Sequence, residues 1–318
     1  MSILLYALLL PTVLVFALLG FSHITPANSP MSNASAFYAR LIISWVAMII
    51  AAGYGVFASI ALRLAGYGGM SQWATGRVFK WIMWYTTGVM FVVTEGGRIE
   101  GGRRGGTEAL NERPAVFVAN HQTELDVLML GTLFPKYCSV TAKKSLKWAP
   151  FLGWFMTLSK TVFIDRANRA TALAAFDGAA KHMQSERQSV WIFPEGTRSY
   201  GERPELLPFK KGAFHLAINA QVPIVPVVIG NYSHVLNVKK RIFRPGTIDV
   251  SVLPPIPTKG LTAADADALA TKTRDAMMSE LIRLSTVAPS NGHTPAAAMA
   301  TGVERETQPA QRRAASAI

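Results

Sequence analysis

Residues 116–133 read Val116-Phe117-Val118-Ala119-Asn120-His121-Gln122-Thr123-Glu124-Leu125-Asp126-Val127-Leu128-Met129-Leu130-Gly131-Thr132-Leu133. A short valine-rich run ends on polar residues and an apolar segment follows, which is the pattern of a buried strand, a turn and a helix. The pattern recurs downstream. Strands are predicted at Val116–Ala119, Tyr137–Ala142, Thr161–Ile164, Val190–Phe193, Ile224–Ile229 and Ile248–Leu253, with helical stretches between most of them. One such stretch is opened by Asn168 as a cap and carries Leu173, Phe176 and Met183 at core spacing. Strands that alternate with helices pair in parallel, because each crossover returns the chain to the same end of the sheet. The expected fold is α/β, a largely parallel sheet with flanking helices.

Before this domain the chain changes character. Met1 to Phe21 contains no charged residue, and a second uncharged run, Leu41 to Leu62, lies between Arg40 and Arg63. About 20 apolar residues in a helix cover a hydrocarbon core of roughly 30 Å, so residues 1–65 read as two membrane segments whose arginines snorkel to the headgroups. A cleaved signal peptide fits the first run poorly, since no Lys or Arg precedes it and no small-x-small site closes it. Arg63, Arg77 and Lys80 follow the second run, whereas acidic residues begin only at Glu95. The positive-inside rule then sets the main domain in the cytosol and the Asn33-Ala34-Ser35 sequon in a short lumenal loop. Trp81 to Val93 is too short to cross and should be a core or interfacial helix running into a strand. Residues 66–285 form the main domain. From residue 286 to 318 the chain is rich in Ala, Pro, Ser, Thr and Gln without apolar periodicity, the composition of a disordered polar tail.

Composition agrees with a lipid environment. Of the 318 residues half are hydrophobic and 16% are charged, and the mean hydropathy is +0.25. The net charge of +13 suits nucleic acid, anionic lipid or phosphorylated substrates. The apolar content favours lipid over nucleic acid, and the arginine-glycine stretch from Gly96 to Gly106 matches neither the dinucleotide nor the P-loop spacing, so it reads as a flexible turn. The single cysteine, Cys138, excludes an internal disulfide framework and a cysteine-based zinc site. No zinc-protease motif, nucleophile elbow or Walker loop occurs, and no metal or cofactor is expected.

The chemistry concentrates at two strand ends. His121 and Asp126 are five apart and would diverge around a regular helix, but they meet if His121 lies in the turn and Asp126 in the helix's first turn. Asp126 would then accept the Nδ1 proton and leave Nε2 as a general base. Pro194-Glu195-Gly196-Thr197-Arg198-Ser199 follows the predicted strand at Val190–Phe193, at the end where open α/β sheets place ligands. Arg198 offers a planar fork for a phosphate monoester, Gly196 lets backbone come close and Glu195 can hold a hydroxyl. The plainer alternative is a surface turn in which Glu195 and Arg198 pair with each other.

From Pro114 to Val228 the chain resembles the 1-acylglycerol-3-phosphate acyltransferases, within the wider phospholipid and glycerol acyltransferase family. Four blocks carry the resemblance in order: Asn120 to Asp126; Ala142-Lys143-Lys144-Ser145-Leu146 through Pro150 and Gly153 to Phe163-Ile164-Asp165-Arg166; Phe193 to Ser199; and Val222 to Val227. Where the family commonly has Ser in the first block this chain has Thr123, which keeps the hydroxyl. The resemblance implies a catalytic pair, His121 and Asp126, and a substrate site built from Lys143, Arg166, Glu195, Gly196, Thr197 and Arg198. It implies an acyl thioester co-substrate, a lysophosphatidic acid acceptor and membrane lipids as surroundings; between coenzyme A and carrier-protein thioesters the long polar tail leans towards acyl-CoA, with the endoplasmic reticulum as the expected location. Glycerol 3-phosphate, another lysophospholipid or, in an esterase, water are the alternative acceptors. His182, His215 and His234 lie outside the blocks and are expected to be structural or solvated.

Overall fold

The computed structural model describes residues 2–26, 29–94, 105–165 and 167–286. Two helices come first, α1 (Ser2–Ile24) and α2 (Pro30–Leu64), then α3 (Ser71–Thr87) and the strand β1 (Val89–Thr94). The core alternation follows: β2 (Val116–Ala119), α4 (Asp126–Leu133), β3 (Cys138–Lys143), α5 (Leu152–Leu158), β4 (Val162–Ile164), α6 (Arg169–Glu186), β5 (Ser189–Ile192), α7 (Gly212–Ala220) and β6 (Ile224–Ile229). A short hairpin, β7 (Leu236–Asn237) with β8 (Ile242–Phe243), precedes β9 (Gly246–Val252) and the closing helix α8 (Ala266–Thr286).

Seven strands form one sheet in the order β1-β9-β6-β2-β5-β3-β4, and only the β6–β9 junction is antiparallel. The α/β class with a largely parallel sheet is therefore as expected. Side chains leave a buried strand alternately on its two faces. Phe117 and Trp191 accordingly join the core beneath α2, α3 and α4, while Val116, Val118, Val190 and Ile192 join the core beneath α6, α7 and α8. Phe117 and Trp191 stack with centroids 5.7 Å apart and both are fully buried, each contributing about 2–3 kcal/mol of transfer free energy. The strand after the expected Trp81–Val93 helix is β1, and Gly88 in the left-handed conformation (φ 71°) makes the break. Asn168 caps α6 by accepting from the Thr171 amide, and Met183 is buried, but Leu173 is 48% exposed rather than core.

α2 departs from expectation. It starts at Pro30, because Ser29 supplies an N-cap oxygen and a proline at the first position is already set to helical φ. Its small residues, including Ala39, Ala47, Ala51, Gly55 and Ser59, face the domain, while Trp45, Ile49, Ile50, Phe57 and Leu64 are exposed. Arg40 and Arg63 both reach carbonyls of the domain. Arg40 Nη1 donates to the Phe243 carbonyl (2.9 Å) and Arg63 Nη2 to the Leu158 carbonyl (2.9 Å). These anchor points are about 35 Å apart along the axis, so α2 packs along the domain over that length, and among the described residues it is the helix long and apolar enough to cross a membrane. Asn33 is likewise inside α2, with its Oδ1 accepting from Arg244 of the domain (3.0 Å), and not in a separate lumenal loop. α1 folds back on α2, with Ser32 Oγ donating to the Ser22 carbonyl at 2.9 Å. The expected turn at Gly96 to Gly106 lies mostly outside the described residues, and so does the expected tail.

Candidate active site

β2, β5 and β3 run parallel, so their C-terminal ends bring Asn120, Phe193 and Lys143 to one edge of the sheet. Asn120 is buried and binds the end of β6 like an extra rung: its Nδ2 donates to the Ile229 carbonyl (3.0 Å) and its Oδ1 accepts from the Ile229 amide (2.8 Å). Gln122 Nε2 donates to the carbonyls of Ile229 (3.2 Å) and Gly230 (3.0 Å). The turn that carries His121 is thereby fastened to the neighbouring strand on both sides of the histidine.

α4 begins at Asp126, the arrangement that lets the pair meet. His121 Nδ1 is 2.7 Å from Asp126 Oδ2. Asp126 is 1% exposed, and a buried carboxylate requires donors. It has them: Oδ2 also accepts from the amides of Gln122 (2.6 Å) and Thr123 (3.2 Å), and Oδ1 accepts from Tyr232 Oη (2.7 Å). The imidazole stacks on Phe193 with centroids 4.3 Å apart and planes at 21°, which fixes the plane of the ring while Asp126 fixes its rotation. Thr123 retains the supporting hydroxyl: Oγ1 accepts from the Leu125 amide (3.1 Å) and lies 2.9 Å from Tyr232 Oη.

The third block is laced to the first through backbone, Ser199 N to His121 O (3.0 Å) and Tyr200 N to Gln122 O (3.1 Å). Glu195 is turned inward. Its two oxygens accept from the amides of His121 (2.8 Å) and Leu207 (3.1 Å), groups outside the sheet ladders that need an acceptor. Burial pushes its carboxyl up to about 7, against the pull of those two amides. Glu195 thus braces the turn, and its oxygens are not presented to a substrate hydroxyl in this arrangement. Arg198 pairs not with Glu195 but with Glu124, at 3.1 Å, and Glu124 also accepts from Tyr200 Oη (2.6 Å). Both members of the Arg198–Glu124 pair are partly exposed (38% and 50%), so an incoming anion can compete for the guanidinium. Gly196 has φ +70°, a conformation that favours glycine, while the contact a Cβ would make falls on the flexible end of Lys210.

His121 lines a cavity of about 500 Å³. Its walls are mainly apolar, from Met48, Ala51 and Ala52 of α2, Phe79 of α3, Leu130 of α4 and Phe155 and Met156 of α5. The polar and basic part of the lining includes Lys143, Thr197, Arg198 and Tyr200 beside His121, with Gln72, Thr75, Thr141 and Thr161. Of the expected site residues, His121, Asp126, Glu195, Gly196, Thr197, Arg198 and Lys143 are thus gathered at one sheet edge. Arg166 lies outside the described residues. Tyr232 was not anticipated: it sits 106 residues from Asp126 in sequence, and the only available signal was a lone tyrosine shortly after the fourth block. Among the described residues no group of three or more His, Cys, Asp or Glu could hold a metal ion.

Residues 103–230 match the family model described as Acyltransferase. The chain is 42% identical to the 1-acyl-sn-glycerol-3-phosphate acyltransferase of Saccharomyces cerevisiae over 245 residues, 77% of each protein. It is 38% identical to human 1-acyl-sn-glycerol-3-phosphate acyltransferase beta over 272 residues, 83% of this chain and 90% of the human one. The crystal structure of the 1-acyl-sn-glycerophosphate acyltransferase from Thermotoga maritima superposes with a TM-score of 0.61, covering 80% of this chain and 95% of that one at 23% identity, a likeness of fold.

Proposed function

Since the chain belongs to the 1-acyl-sn-glycerol-3-phosphate acyltransferases, we propose that it moves a fatty acyl group from acyl-CoA to the sn-2 hydroxyl of lysophosphatidic acid, giving phosphatidic acid. The observation that carries this reading is the 2.7 Å contact between His121 Nδ1 and buried Asp126, with His121 lining a mainly apolar cavity to which Lys143 and Arg198 also contribute.

With Nδ1 committed to Asp126, Nε2 is the nitrogen left to take the proton of the acceptor hydroxyl. The alkoxide oxygen attacks the thioester carbonyl, the tetrahedral intermediate collapses, the C–S bond breaks, and the imidazolium returns its proton to the departing thiolate. No acyl-enzyme forms. Asp126 stabilises the imidazolium in the middle of this sequence and does not itself become protonated. Arg198 and Lys143, with Arg166, bind the acceptor phosphate, and Arg198 exchanges Glu124 for it. Gly196 and Thr197 shape the backbone beside the glycerol, and Glu195 acts through the His121 amide rather than on the glycerol. The acyl chain lies among Ala51, Ala52 and Phe155.

The acceptor and product are membrane lipids, and the bulky exposed face of α2 supports seating at a membrane surface. The basic excess supports the cytosolic leaflet, with the endoplasmic reticulum as the membrane concerned. The test is acyl transfer from labelled oleoyl-CoA by detergent-purified protein to lysophosphatidic acid, glycerol 3-phosphate or water, beside His121→Ala. Phosphatidic acid from the unmutated protein alone is the expected result. Free fatty acid irrespective of acceptor would make the protein an esterase, and undiminished transfer by His121→Ala would remove the base.

A further inference from the structure

The hydroxyl of Tyr232 has one proton and three polar neighbours, and their chemistry decides where the proton goes. Asp126 Oδ1, at 2.7 Å, is a carboxylate oxygen and can only accept. The Thr123 amide, at 3.0 Å, can only donate. The Tyr232 proton therefore points to Asp126, and Thr123 Oγ1, at 2.9 Å, has to donate to Tyr232 Oη. A directed chain runs from Thr123 through Tyr232 and ends on the Asp126 carboxylate, whose other oxygen accepts separately from His121 Nδ1. Such chains polarise their members in the same sense.

The tyrosine is held firmly for this task. Its ring is fully buried and meets Phe91 of β1 edge to face, with centroids 6.0 Å apart at 84°. The preceding Gly230 receives the Gln122 side chain on its carbonyl (3.0 Å) and donates its amide to the Asp249 carbonyl (2.9 Å). Asn231 Nδ2 donates to the Gly201 carbonyl at 3.0 Å. The segment that presents Tyr232 is thus pinned to the first block, to β9 and to the segment that follows the third block.

We infer that Tyr232 is a positioning residue for the transfer: its O–H, given to Asp126 Oδ1, fixes the rotation of the carboxylate so that Oδ2 stays on His121 Nδ1 and Nε2 stays directed at the acceptor. The inference rests on the reading of His121 as the base. Without the phenol proton, Oδ1 loses its only described hydrogen-bond donor, the carboxylate is held through Oδ2 alone by the Gln122 and Thr123 amides and His121, and its plane about the Cβ–Cγ bond is less narrowly set.

The test measures kcat and KM with oleoyl-CoA and 1-oleoyl-lysophosphatidic acid for the unmutated protein, Y232F, D126N, the D126N/Y232F double variant and H121A. Y232F should lose roughly ten- to a hundredfold in kcat, with both KM values within about twofold, because a hydrogen bond to a charged group is removed far from the binding contacts. If Tyr232 acts only through Asp126, the double variant should be no slower than D126N by more than about twofold. A low-field proton resonance that H121A abolishes, assigned to Nδ1–H, should shift in Y232F, which a merely structural tyrosine would not cause. A kcat for Y232F within about threefold of the unmutated value, or losses that multiply in the double variant, would overturn the inference while leaving the base in place. Full activity in H121A would instead remove the base, and the inference with it. Should Y232F fail to fold, T123V cuts the same chain at its far end with the ring intact; a fall in kcat of about threefold at constant KM is expected, and none would overturn the proposal.

Discussion

Replacing Asp126 by asparagine keeps the shape of the side chain and removes its charge. The carboxylate is hydrogen-bonded to Nδ1 at 2.7 Å, which puts the centres of charge of the ion pair formed on proton transfer about 4 Å apart. At an effective dielectric constant of about 20 the attraction is about 4 kcal/mol, close to three orders of magnitude in rate. Folding suffers less but measurably. Whichever way the amide is turned, its NH₂ replaces an acceptor, either against the Gln122 and Thr123 amides or against Tyr232 Oη. At least one donor goes unsatisfied, at about 1–3 kcal/mol each. The expected outcome for Asp126→Asn is a kcat about a thousandfold lower, KM values nearly constant and a thermal midpoint lower by several degrees. Initial rates of CoA thiol release, with detergent-solubilised enzyme and saturating lysophosphatidic acid, report the first quantity. A kcat within tenfold of the unmutated enzyme would show that the imidazolium does not rely on Asp126, and the base assignment would lose its electrostatic support.

Other positions give distinct signatures. Arg198→Ala should raise the acceptor KM about ten- to a hundredfold while leaving the donor KM alone, and equal effects on both would move Arg198 away from the acceptor phosphate. Glu195 is raised from its ordinary 4.5 to about 7 in the folded protein, so the folded state binds more protons than the unfolded one between those values. Stability should therefore fall by up to about 3 kcal/mol as pH climbs from about 4.5 to 7, and be flat on either side as far as this group is concerned. Comparison of thermal unfolding at pH 5 and pH 8 for the unmutated protein and Glu195→Gln should show the smaller pH dependence in the variant; equal dependence would refute it. Gly55→Val forces a Cβ to 2.6 Å from Phe155 Cδ2 and 2.8 Å from Thr75 Oγ1, so it should cost about 1–3 kcal/mol and change acyl-chain preference, since Phe155 and Thr75 both line the cavity. An unaltered ratio of kcat/KM for long and short acyl-CoA would place the acyl chain elsewhere.

Much of this was legible in the residues, for identifiable reasons. Val116 to Ala119 and Ile224 to Ile229 begin and end as strands where the valine-rich runs do, because central parallel strands are buried on both faces and composition alone marks them. The pairing of His121 with Asp126 followed from a simple condition, a turn ahead of the helix. What escaped was whatever depends on distant segments. The β7–β8 hairpin is two residues per strand and leaves no period to detect. Glu195 looked like a substrate ligand because its inward orientation is set by amides at His121 and Leu207, which only the folded chain brings together. The hydrogen bonds of Arg40 and Arg63 were hidden because their partners, Phe243 and Leu158, lie far along the chain.

The helix α2 has a practical consequence for handling this enzyme. One of its faces supplies Met48, Ala51 and Ala52 to the cavity, and the opposite face carries the bulky apolar residues. The seat and the substrate chamber are therefore a single mechanical part. A fragment trimmed at the N-terminus to gain solubility would also lose a wall of the chamber and open the sheet's core at Phe79 and Met129 to water. Solubility is better sought by changing outward residues such as Trp45, Ile49 and Phe57 to polar ones with the helix left in place, which keeps the wall that α2 gives the cavity.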